Sequence, residues 1–318
     1  MGIVRSAAGG GLTYWLAEHP AIVGFRWSHA HSWGSTWSFL ACAIAAYVVA
    51  AAALHFLLTV LGRRRPLPLG LLPATHSLCM ALLSAAIFLG TLLSSAAEIR
   101  ETRWFWLGHR APRRLITHPL QWLLCFPPGT RPSGRVFFWS YAFYLSRFLH
   151  LLRTFLLIAR RRVGRPGRSL PCHLFVHAVL VCTSFVWLEF SQSLQVTAIL
   201  STTLAYAVVY GYRFWVELGL PWGGTLPAVL RRCQALLVAC NLLSHLGLLL
   251  LHFCNGGCNG IGAWVFNSVL NAALLLLFAA EGRRARIWEG IADDDCSSHH
   301  HNSCRRGAAG VDLVNKDC

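Results

Sequence analysis

The chain has 318 residues, of which 55% are hydrophobic and 13% are charged. A soluble domain carries about 25% charged residues, so this composition indicates an integral membrane protein. The formal net charge is +16, and the arginines cluster at the ends of apolar segments. That placement is typical of a membrane protein oriented by its basic residues in contact with anionic lipid heads, and no nucleic-acid-binding module is visible. We therefore expect the lipid bilayer, and no nucleic acid, as a partner.

Seven apolar segments are candidates to cross a bilayer as helices, which takes about 20 residues. The long charge-free run after Arg232 is divided by the turn-forming sequence CNGGCNG at 254–260. The predicted spans are 37–61, 69–96, 136–159, 173–187, 191–212, 234–253 and 261–280. The sequence therefore predicts an all-α fold, a polytopic membrane bundle of seven transmembrane helices.

An odd number of spans places the two termini on opposite sides of the membrane. Arginine clusters follow the first, third and seventh spans and bracket the loop between the fifth and sixth, so they all lie on one side. The positive-inside tendency makes that side cytosolic and the N-terminus lumenal or exterior. We expect a lumenal segment 1–36, a membrane domain 37–280 and a cytosolic tail 281–318, disordered because it lacks apolar periodicity. The arginine-rich segment 98–135 is interpreted as an interfacial re-entrant piece.

The third span, in the stretch LSRFLHLLRTF, carries Arg147, His150 and Arg153 at a spacing of three. Residues spaced by three share one face of a helix. An ionisable group inside a bilayer costs a few kcal/mol, so it faces a bundle interior or a wet cavity. The spacing therefore predicts one polar stripe that faces inward, although Arg153 could instead extend to the cytosolic edge.

Two histidines of the fourth span, His173 and His177, are four residues apart and share a face. Imidazole can act as a base or nucleophile near neutral pH, while a structural hydrogen-bonding role is the alternative. Two ligands do not make a zinc site, so we predict no metal. Glu189, at the end of this span, is the expected partner of an arginine.

The fifth and sixth spans contribute further polar side chains. Tyr206, Tyr210 and Tyr212 mark a polar or aromatic face of the fifth span, with an interfacial aromatic belt as the alternative for Tyr212. In the sixth span Gln234, Asn241 and His245 share a face, and the cost of exposing polar side chains to lipid predicts that this face points inward.

The order of these motifs resembles the ELO family of fatty acid elongases, the 3-oxoacyl-CoA synthases of the endoplasmic reticulum membrane, and above all its plant 3-like subgroup. The resemblance covers about residues 37–280, and its most specific parts are FFWSYAFYLSRFLHLLRTF, WLEFSQSLQ, YAVVYGYRFW and GGCNGIGAWVFNSVLN. It implies seven helices, a lumenal N-terminus, a cytosolic C-terminus and a role in very-long-chain fatty acid and sphingolipid biosynthesis.

The resemblance also implies a reaction, the transfer of an acyl group. An acyl-CoA enters a cavity between the helices, and a histidine of the HxxHH box takes the acyl group. Malonyl-CoA then loses carbon dioxide, and its carbanion attacks the acyl carbon to give a 3-oxoacyl-CoA two carbons longer. No cofactor is implied besides the two coenzyme A substrates, and other fatty acid elongation enzymes of the reticulum are implied as partners.

The motif residues depart from the family pattern. The KxxExxDT motif falls on Arg147, His150, Arg153 and Thr154, so only the threonine matches and two carboxylates are replaced by cationic or imidazole groups. The HxxHH box runs from His173 to His177 but has valine at the position of the nucleophilic histidine. That valine is Val176. The HxxMYxYY motif falls on Tyr206 to Arg213: Tyr210 and Tyr212 match, while Tyr206 replaces the histidine and Arg213 replaces the last tyrosine. Of the TxxQxxQ motif, only Gln234 matches.

Two interpretations follow from this pattern. In the first, the protein is an elongase with a rearranged site, in which His173, His177 or His150 acts as nucleophile or base. Arg147 and Arg153 would then hold the coenzyme A phosphates or the malonyl carboxylate. Substrate-binding roles fall to the remaining motif residues, namely Thr154, Tyr206, Tyr210, Tyr212 and Gln234. In the second, the protein is a non-catalytic relative that binds acyl-CoA or supports the elongase complex. A seven-helix receptor or channel is a third interpretation that rests on helix count alone.

Three cysteines, Cys125, Cys254 and Cys258, lie in predicted lumenal loops. The lumen of the secretory pathway is oxidising. We therefore expect a disulfide among them.

Overall fold

The computed structural model describes residues 11–61, 67–101, 105–107, 114–116, 121–160, 169–220, 226–254, 256–277 and 280. Its long helices are α1 (Trp37–Val60), α2 (Leu72–Glu101), α3 (Arg135–Ala159), α4 (Leu170–Glu189), α5 (Gln195–Glu217), α6 (Leu226–Cys254) and α7 (Ile261–Leu277). Short helical turns cover Gly11–Thr13, Tyr14–Glu18, Pro20–Val23 and Gln121–Leu124. One antiparallel hairpin pairs β1 (Phe105–Leu107) with β2 (Arg114–Ile116). Apart from this hairpin, the described fold is all-α.

Helices α1, α2, α3, α4 and α6 are long and apolar enough to cross a membrane. The class of multi-pass, all-α membrane protein is therefore confirmed, and a helix occupies each of the seven predicted segments. Helix α5 has the length but carries polar residues along it, and α7 has 17 residues up to Leu277. The structure thus supports five crossings among the described residues, and the predicted count of seven is not confirmed.

Local sequence explains where several of these helices begin. The Thr36 hydroxyl accepts a hydrogen bond from the Phe39 amide at 3.2 Å, which satisfies one of the free donors at the start of α1. Pro73 lies in the first turn of α2, where its missing amide hydrogen costs nothing. Helix α4 likewise carries Pro171 in its first turn, as the second residue after its N-cap Ser169.

Helix α3 lies at the centre of the bundle and contacts α1, α2, α4 and α5. The most extensive helix pair is α2 with α5. A small residue allows α2 to pack closely against α3: Gly90 of α2 lies against the indole of Trp139 of α3, and any added Cβ there would overlap that ring. The four neighbours of α3 therefore enclose much of its surface.

Loops at one end of the bundle are tied together covalently and by hydrogen bonds, and we call this the disulfide end. Cys125 and Cys258 form a disulfide across 133 residues of sequence, while Cys254 is an exposed free thiol. The Asn259 amide lies beside them and donates to the carbonyl oxygens of Phe190 and Ser191 at 3.2 and 3.0 Å. The expected disulfide is thus confirmed, and its partners are resolved.

Glu189 also lies at the disulfide end, at the end of α4. Its carboxylate accepts a hydrogen bond from Trp27 Nε1 at 2.9 Å and lies 3.0 Å from His29 Nε2. The expectation that Glu189 pairs with an arginine is therefore wrong. Its partners belong to the segment before α1, a pairing across more than 150 residues that no local pattern indicates.

The opposite end of the bundle carries a cleft, and we call it the cleft end. The Leu67 amide donates to the Ala159 carbonyl at 3.1 Å, which ties the start of α2 to the end of α3. The predicted tail 281–318 and the arginines at 63–65 lie outside the described residues, as do parts of the segment 98–135.

Candidate functional site

The polar stripe of α3 faces the bundle interior, as predicted. Arg147 is 2% exposed and His150 is 3% exposed, and Arg153 is half-buried. On the opposite face of the helix, Leu149 is 44% exposed and Leu152 is 50% exposed. The helix thus turns its apolar residues outward and its ionisable residues inward, which is the arrangement of lowest cost in a bilayer.

Tyr210 of α5 connects two members of the stripe. Its hydroxyl oxygen lies 2.9 Å from His150 Nδ1, and Arg153 Nη1 donates to the same oxygen at 3.4 Å. The rings of Tyr206 and Tyr210 flank the imidazole, with centroids 4.8 and 5.3 Å from that of His150. Two predicted site residues of α5 therefore meet the stripe directly.

Arg147 lies in an aromatic environment. Its guanidinium carbon is 4.0 Å from the ring centroid of Phe143 and 5.0 Å from that of Tyr206. Nη2 donates to Ser146 Oγ at 3.2 Å, whereas Nε and Nη1 have no hydrogen-bond partner among the described residues. A buried guanidinium with two donors available is a strong site for an oxyanion or carbonyl oxygen.

The histidines of α4 approach the same region. His177 is close enough to His150, Arg147 and Arg153 to interact with them electrostatically. His173 lies one turn before His177 on the same helix face. We call the group formed by Arg147, His150, Arg153, His177, Tyr206 and Tyr210 the cationic cluster.

Three predicted site residues lie apart from the cationic cluster or turn away from it. Thr154 is fully buried, but its hydroxyl is 2.7 Å from that of Tyr47 and so ties α3 to α1. Tyr212 follows Tyr210 by two residues, so the two rings do not share a helix face. Gln234 and Asn241 are exposed on α6, whereas His245 is half-buried, so the predicted inward orientation is wrong for the two amides.

A cleft at the cleft end extends from the cationic cluster towards the end of the bundle. Arg153 and Tyr210 belong to both, so the cleft leads to the buried imidazole. The described residues that line it are Pro73, His76, Ser77, Arg153, Leu156, Leu157, Arg160, Tyr210, Arg213, Glu217 and Leu230. Three arginines face this cleft, which makes it a site for an anion such as a phosphate group.

Sequence reasoning missed several of these cleft residues. His76 Nε2 lies 3.2 Å from the Leu149 carbonyl oxygen, and its ring contacts that of Tyr210 edge to face at 6.2 Å. A carbonyl oxygen only accepts, so Nε2 carries the hydrogen and Nδ1 carries the lone pair. The position of His76 in an apolar segment could have marked it as a candidate site residue. Its contacts with α3 and α5 could not be predicted from the local sequence.

The cationic cluster has the parts of an acyl-transfer site. One ring nitrogen of His150 is fixed by Tyr210, and the other, Nε2, is buried without a partner among the described residues. In the tautomer in which Nδ1–H donates to the Tyr210 oxygen, Nε2 carries the lone pair, and a nearby guanidinium can stabilise negative charge on a carbonyl oxygen. No group of three His, Cys, Asp or Glu side chains suited to a metal ion occurs in the part of the chain that the structure describes.

The helices and this buried cationic cluster define a polytopic all-α membrane protein with an interior polar site. Residues 32–281 match the model of the GNS1/SUR4 family, ELO, and the chain therefore belongs to the ELO family. The chain is 59% identical over 268 residues to a protein of Arabidopsis thaliana described as fatty acid elongase 3-like, covering 84% of this chain and 89% of that protein.

A more distant relative supports the same assignment. A putative fatty acid elongase of Dictyostelium discoideum is 19% identical over 192 residues, which cover 60% of this chain and 57% of that protein. No solved structure gives a significant match to the chain.

Proposed function

We propose that the protein acts in fatty acid elongation and condenses an acyl-CoA with malonyl-CoA to a 3-oxoacyl-CoA. The family and the Arabidopsis relative support the process. The observation that carries the chemistry is His150, a buried imidazole with Nδ1 held by Tyr210 and Nε2 available beside the guanidinium of Arg147. The acyl group is transferred to this nitrogen.

The reaction has two steps, and both conserve atoms and charge. Nε2 of His150 attacks the thioester carbonyl, the coenzyme A thiolate leaves, and an acyl-imidazole forms. Malonyl-CoA then loses carbon dioxide, and the resulting carbon nucleophile attacks the acyl carbon while the imidazole leaves. Each turnover consumes one proton and releases free coenzyme A, carbon dioxide and the longer 3-oxoacyl-CoA.

Arg147 stabilises the oxyanion of both steps. Its donors Nε and Nη1 are buried beside His150 and make no other hydrogen bond among the described residues. A donor fixed in a low-dielectric site favours a negatively charged oxygen over a neutral carbonyl. His177, which interacts electrostatically with His150, and His173, one turn before it, serve as additional bases.

The three arginines of the cleft bind the phosphates of coenzyme A. Arg153, Arg160 and Arg213 line the cleft, and Arg153 also reaches the Tyr210 hydroxyl. Phosphates held by Arg160 leave room for the arm of coenzyme A that joins them to the thioester, because Arg160 lies ten residues, about 15 Å, along α3 from His150. Acyl-CoA and malonyl-CoA are thus the expected ligands, and no further cofactor is needed.

The location that fits this function is the endoplasmic reticulum membrane. In this arrangement all seven helices cross the bilayer, with the N-terminus and the disulfide end in the lumen and the cleft end and C-terminus in the cytosol. An oxidising lumen would maintain the Cys125–Cys258 disulfide, and a cytosolic cleft would receive coenzyme A thioesters. Other elongation enzymes of the reticulum would take up the 3-oxoacyl-CoA.

Chain extension by the purified protein tests the proposal. The protein, in lipid nanodiscs, receives labelled malonyl-CoA with acyl-CoAs of several chain lengths. We expect extension by the wild type, loss of at least about 100-fold in H150A, and an acyl adduct on His150 in a rapidly quenched sample. Unimpaired extension by H150A, or an adduct on His177, would show that another imidazole is the nucleophile.

A non-catalytic role is the second candidate, and Val176 is the observation that favours it. Valine stands one residue before His177, where the HxxHH box has a histidine, and it cannot form an acyl-imidazole. A binder of this kind would retain acyl-CoA without extending it at any chain length. The same extension assay, combined with a measurement of bound acyl-CoA, separates the two functions.

A further inference from the structure

Glu217 occupies an electrostatically unfavourable position at the end of α5. It is the last residue of the helix, and Gly219 follows with a φ of 73°, which fixes the point where the helix stops. The C-terminal end of a helix carries partial negative charge, so a carboxylate there is destabilising. Helix stability therefore gives no reason for an acid at this position.

The contacts of Glu217 reach α2 and α3, two of the other helices that line the cleft. Its Oε1 accepts from Arg160 Nη1 at 3.4 Å, and Ser77 Oγ lies 3.5 Å from Oε2. The two charged side chains are about a quarter exposed, 25% for Arg160 and 23% for Glu217. Water thus reaches the pair, and an exposed pair of this kind is weak enough to open.

Glu217 is also the one acidic residue among the described side chains that line the cleft, where three arginines face it. An incoming anionic group must share or replace this carboxylate as the partner of Arg160. A phosphate group offers more charge and more acceptor oxygens than the carboxylate, so it competes effectively for the guanidinium.

We propose that Glu217 is an internal competitor for the anionic end of the ligand, occupying Arg160 until a phosphate group displaces it. This inference rests on the proposed function, because the ligand is taken to be a coenzyme A thioester. Without ligand, the Arg160–Glu217 pair bridges the cleft between α3 and α5. With ligand, the phosphate takes Arg160, and Glu217 keeps its contact with Ser77. The residue thus lowers the affinity for the coenzyme A moiety and favours release of product.

Binding of coenzyme A itself, measured by calorimetry on the full-length protein in nanodiscs, tests this proposal. We expect E217Q to bind about threefold to fivefold more tightly than the wild type, because the amide cannot hold Arg160 with a charge. E189Q is the matched control, since it makes the same change at the disulfide end and should leave the affinity unchanged.

A double-mutant cycle ties the effect to Arg160. In the R160Q background the gain from E217Q should disappear, because the residue it competes for is absent. A gain that persists there, or an equal gain in E189Q, would mean that net charge alone acts and would overturn the proposal. Unchanged or weaker binding in E217Q would likewise overturn it and make the pair a simple structural link.

The outcome for the wild type separates this inference from the proposed function. If the wild type binds coenzyme A and E217Q binds it no more tightly, Glu217 is not a competitor for Arg160, and the proposed function is unaffected. Absence of coenzyme A binding in both proteins rejects the competitor together with the assignment of the cleft to coenzyme A phosphates. The extension assay on H150A is independent of either result.

Discussion

The hydroxyl oxygen of Tyr210 lies 2.9 Å from Nδ1 of His150, and this contact joins the buried stripe of α3 to α5. Arg153 donates to the same oxygen at 3.4 Å. The Tyr210 hydroxyl thus fixes the imidazole of His150 and holds the guanidinium of Arg153 where the cleft meets the cationic cluster. Networks of this kind depend on every member, so the loss of one group changes the geometry of the rest.

The first prediction concerns that phenol. Y210F removes the hydroxyl, so His150 can rotate and Nε2 loses its fixed direction. We expect chain extension to fall by about 10-fold to 100-fold, with a loss of stability of about 1 kcal/mol. Extension assays and thermal unfolding measure the two effects.

Y141F is the matched control for Y210F. The Tyr141 hydroxyl donates to the Trp33 carbonyl at 3.1 Å, towards the disulfide end, so it makes one hydrogen bond without touching the cationic cluster. Its activity should match that of the wild type. Equal activity in Y210F would show that the bridge is structural.

The second prediction separates stability from activity at Arg147. Because the guanidinium is buried with two donors unsatisfied, R147M should leave stability unchanged or raise it by up to about 2 kcal/mol. Extension should nevertheless fall by about 100-fold or more, since the oxyanion loses its donor. Thermal unfolding and extension assays on one preparation test both halves.

R100M is a suitable comparison, because Arg100 is exposed at the end of α2 and carries the same charge. It should change neither quantity by a measurable amount. A strongly destabilised R147M would instead mean that the guanidinium holds the helices together through contacts outside the cluster.

The third prediction concerns the disulfide. C125S and C258S each open the bond that joins the loop before α3 to the loop before α7. We expect a loss of about 2–5 kcal/mol, because the cross-link restricts the unfolded chain over a long loop. Thermal unfolding with and without reductant measures it, and reductant should destabilise the wild type but neither C125S nor C258S.

C254S tests whether the effect is specific to the bonded pair. Cys254 is an exposed free thiol four residues before Cys258, so its replacement should leave the unfolding temperature and the response to reductant unchanged. A loss of the reductant response in C254S would indicate that the bond exchanges between the two cysteines.

The fourth prediction concerns packing between α2 and α3. The methyl group of G90A would overlap the Trp139 indole, so the helices must separate or the ring must move. We expect a cost of about 1–3 kcal/mol, measured by thermal unfolding. G211A is the control, because a Cβ at that helical position meets no atom within 4 Å and should stabilise α5 by about 0.5–1 kcal/mol. Similar values for the two variants would contradict the close packing at Gly90.

Local sequence predicted the helices and the inward stripe because both depend on short periodicities. Apolar length located all seven helical segments, and a spacing of three identified Arg147 and His150 as buried neighbours. Hydropathy underestimated the helix ends: α2 runs to Glu101, beyond the predicted residue 96, and α6 begins at Leu226 rather than 234. Backbone hydrogen bonding continues into polar segments that a hydropathy criterion excludes.

Contacts between distant segments were beyond the same reasoning. The partners of Glu189 are Trp27 and His29, and the partner of Thr154 is Tyr47. The partner residues are unremarkable in their own segments, and only the packing of the helices brings them to Glu189 and Thr154. The exposed position of Gln234 has the same origin, since burial of one helix face depends on which neighbours cover it.

The stretch before the first long helix has a practical consequence for anyone labelling or shortening the protein. The Leu16 carbonyl accepts the Trp139 indole hydrogen at 2.8 Å, and Phe25 stacks on Tyr141 with ring centroids 5.4 Å apart. A fluorescent protein inserted between Phe25 and Trp37 would disturb these contacts with α3. A truncated protein that begins in this stretch would lose them. Reporter groups attached to the C-terminal side of α7 leave both of these contacts in place.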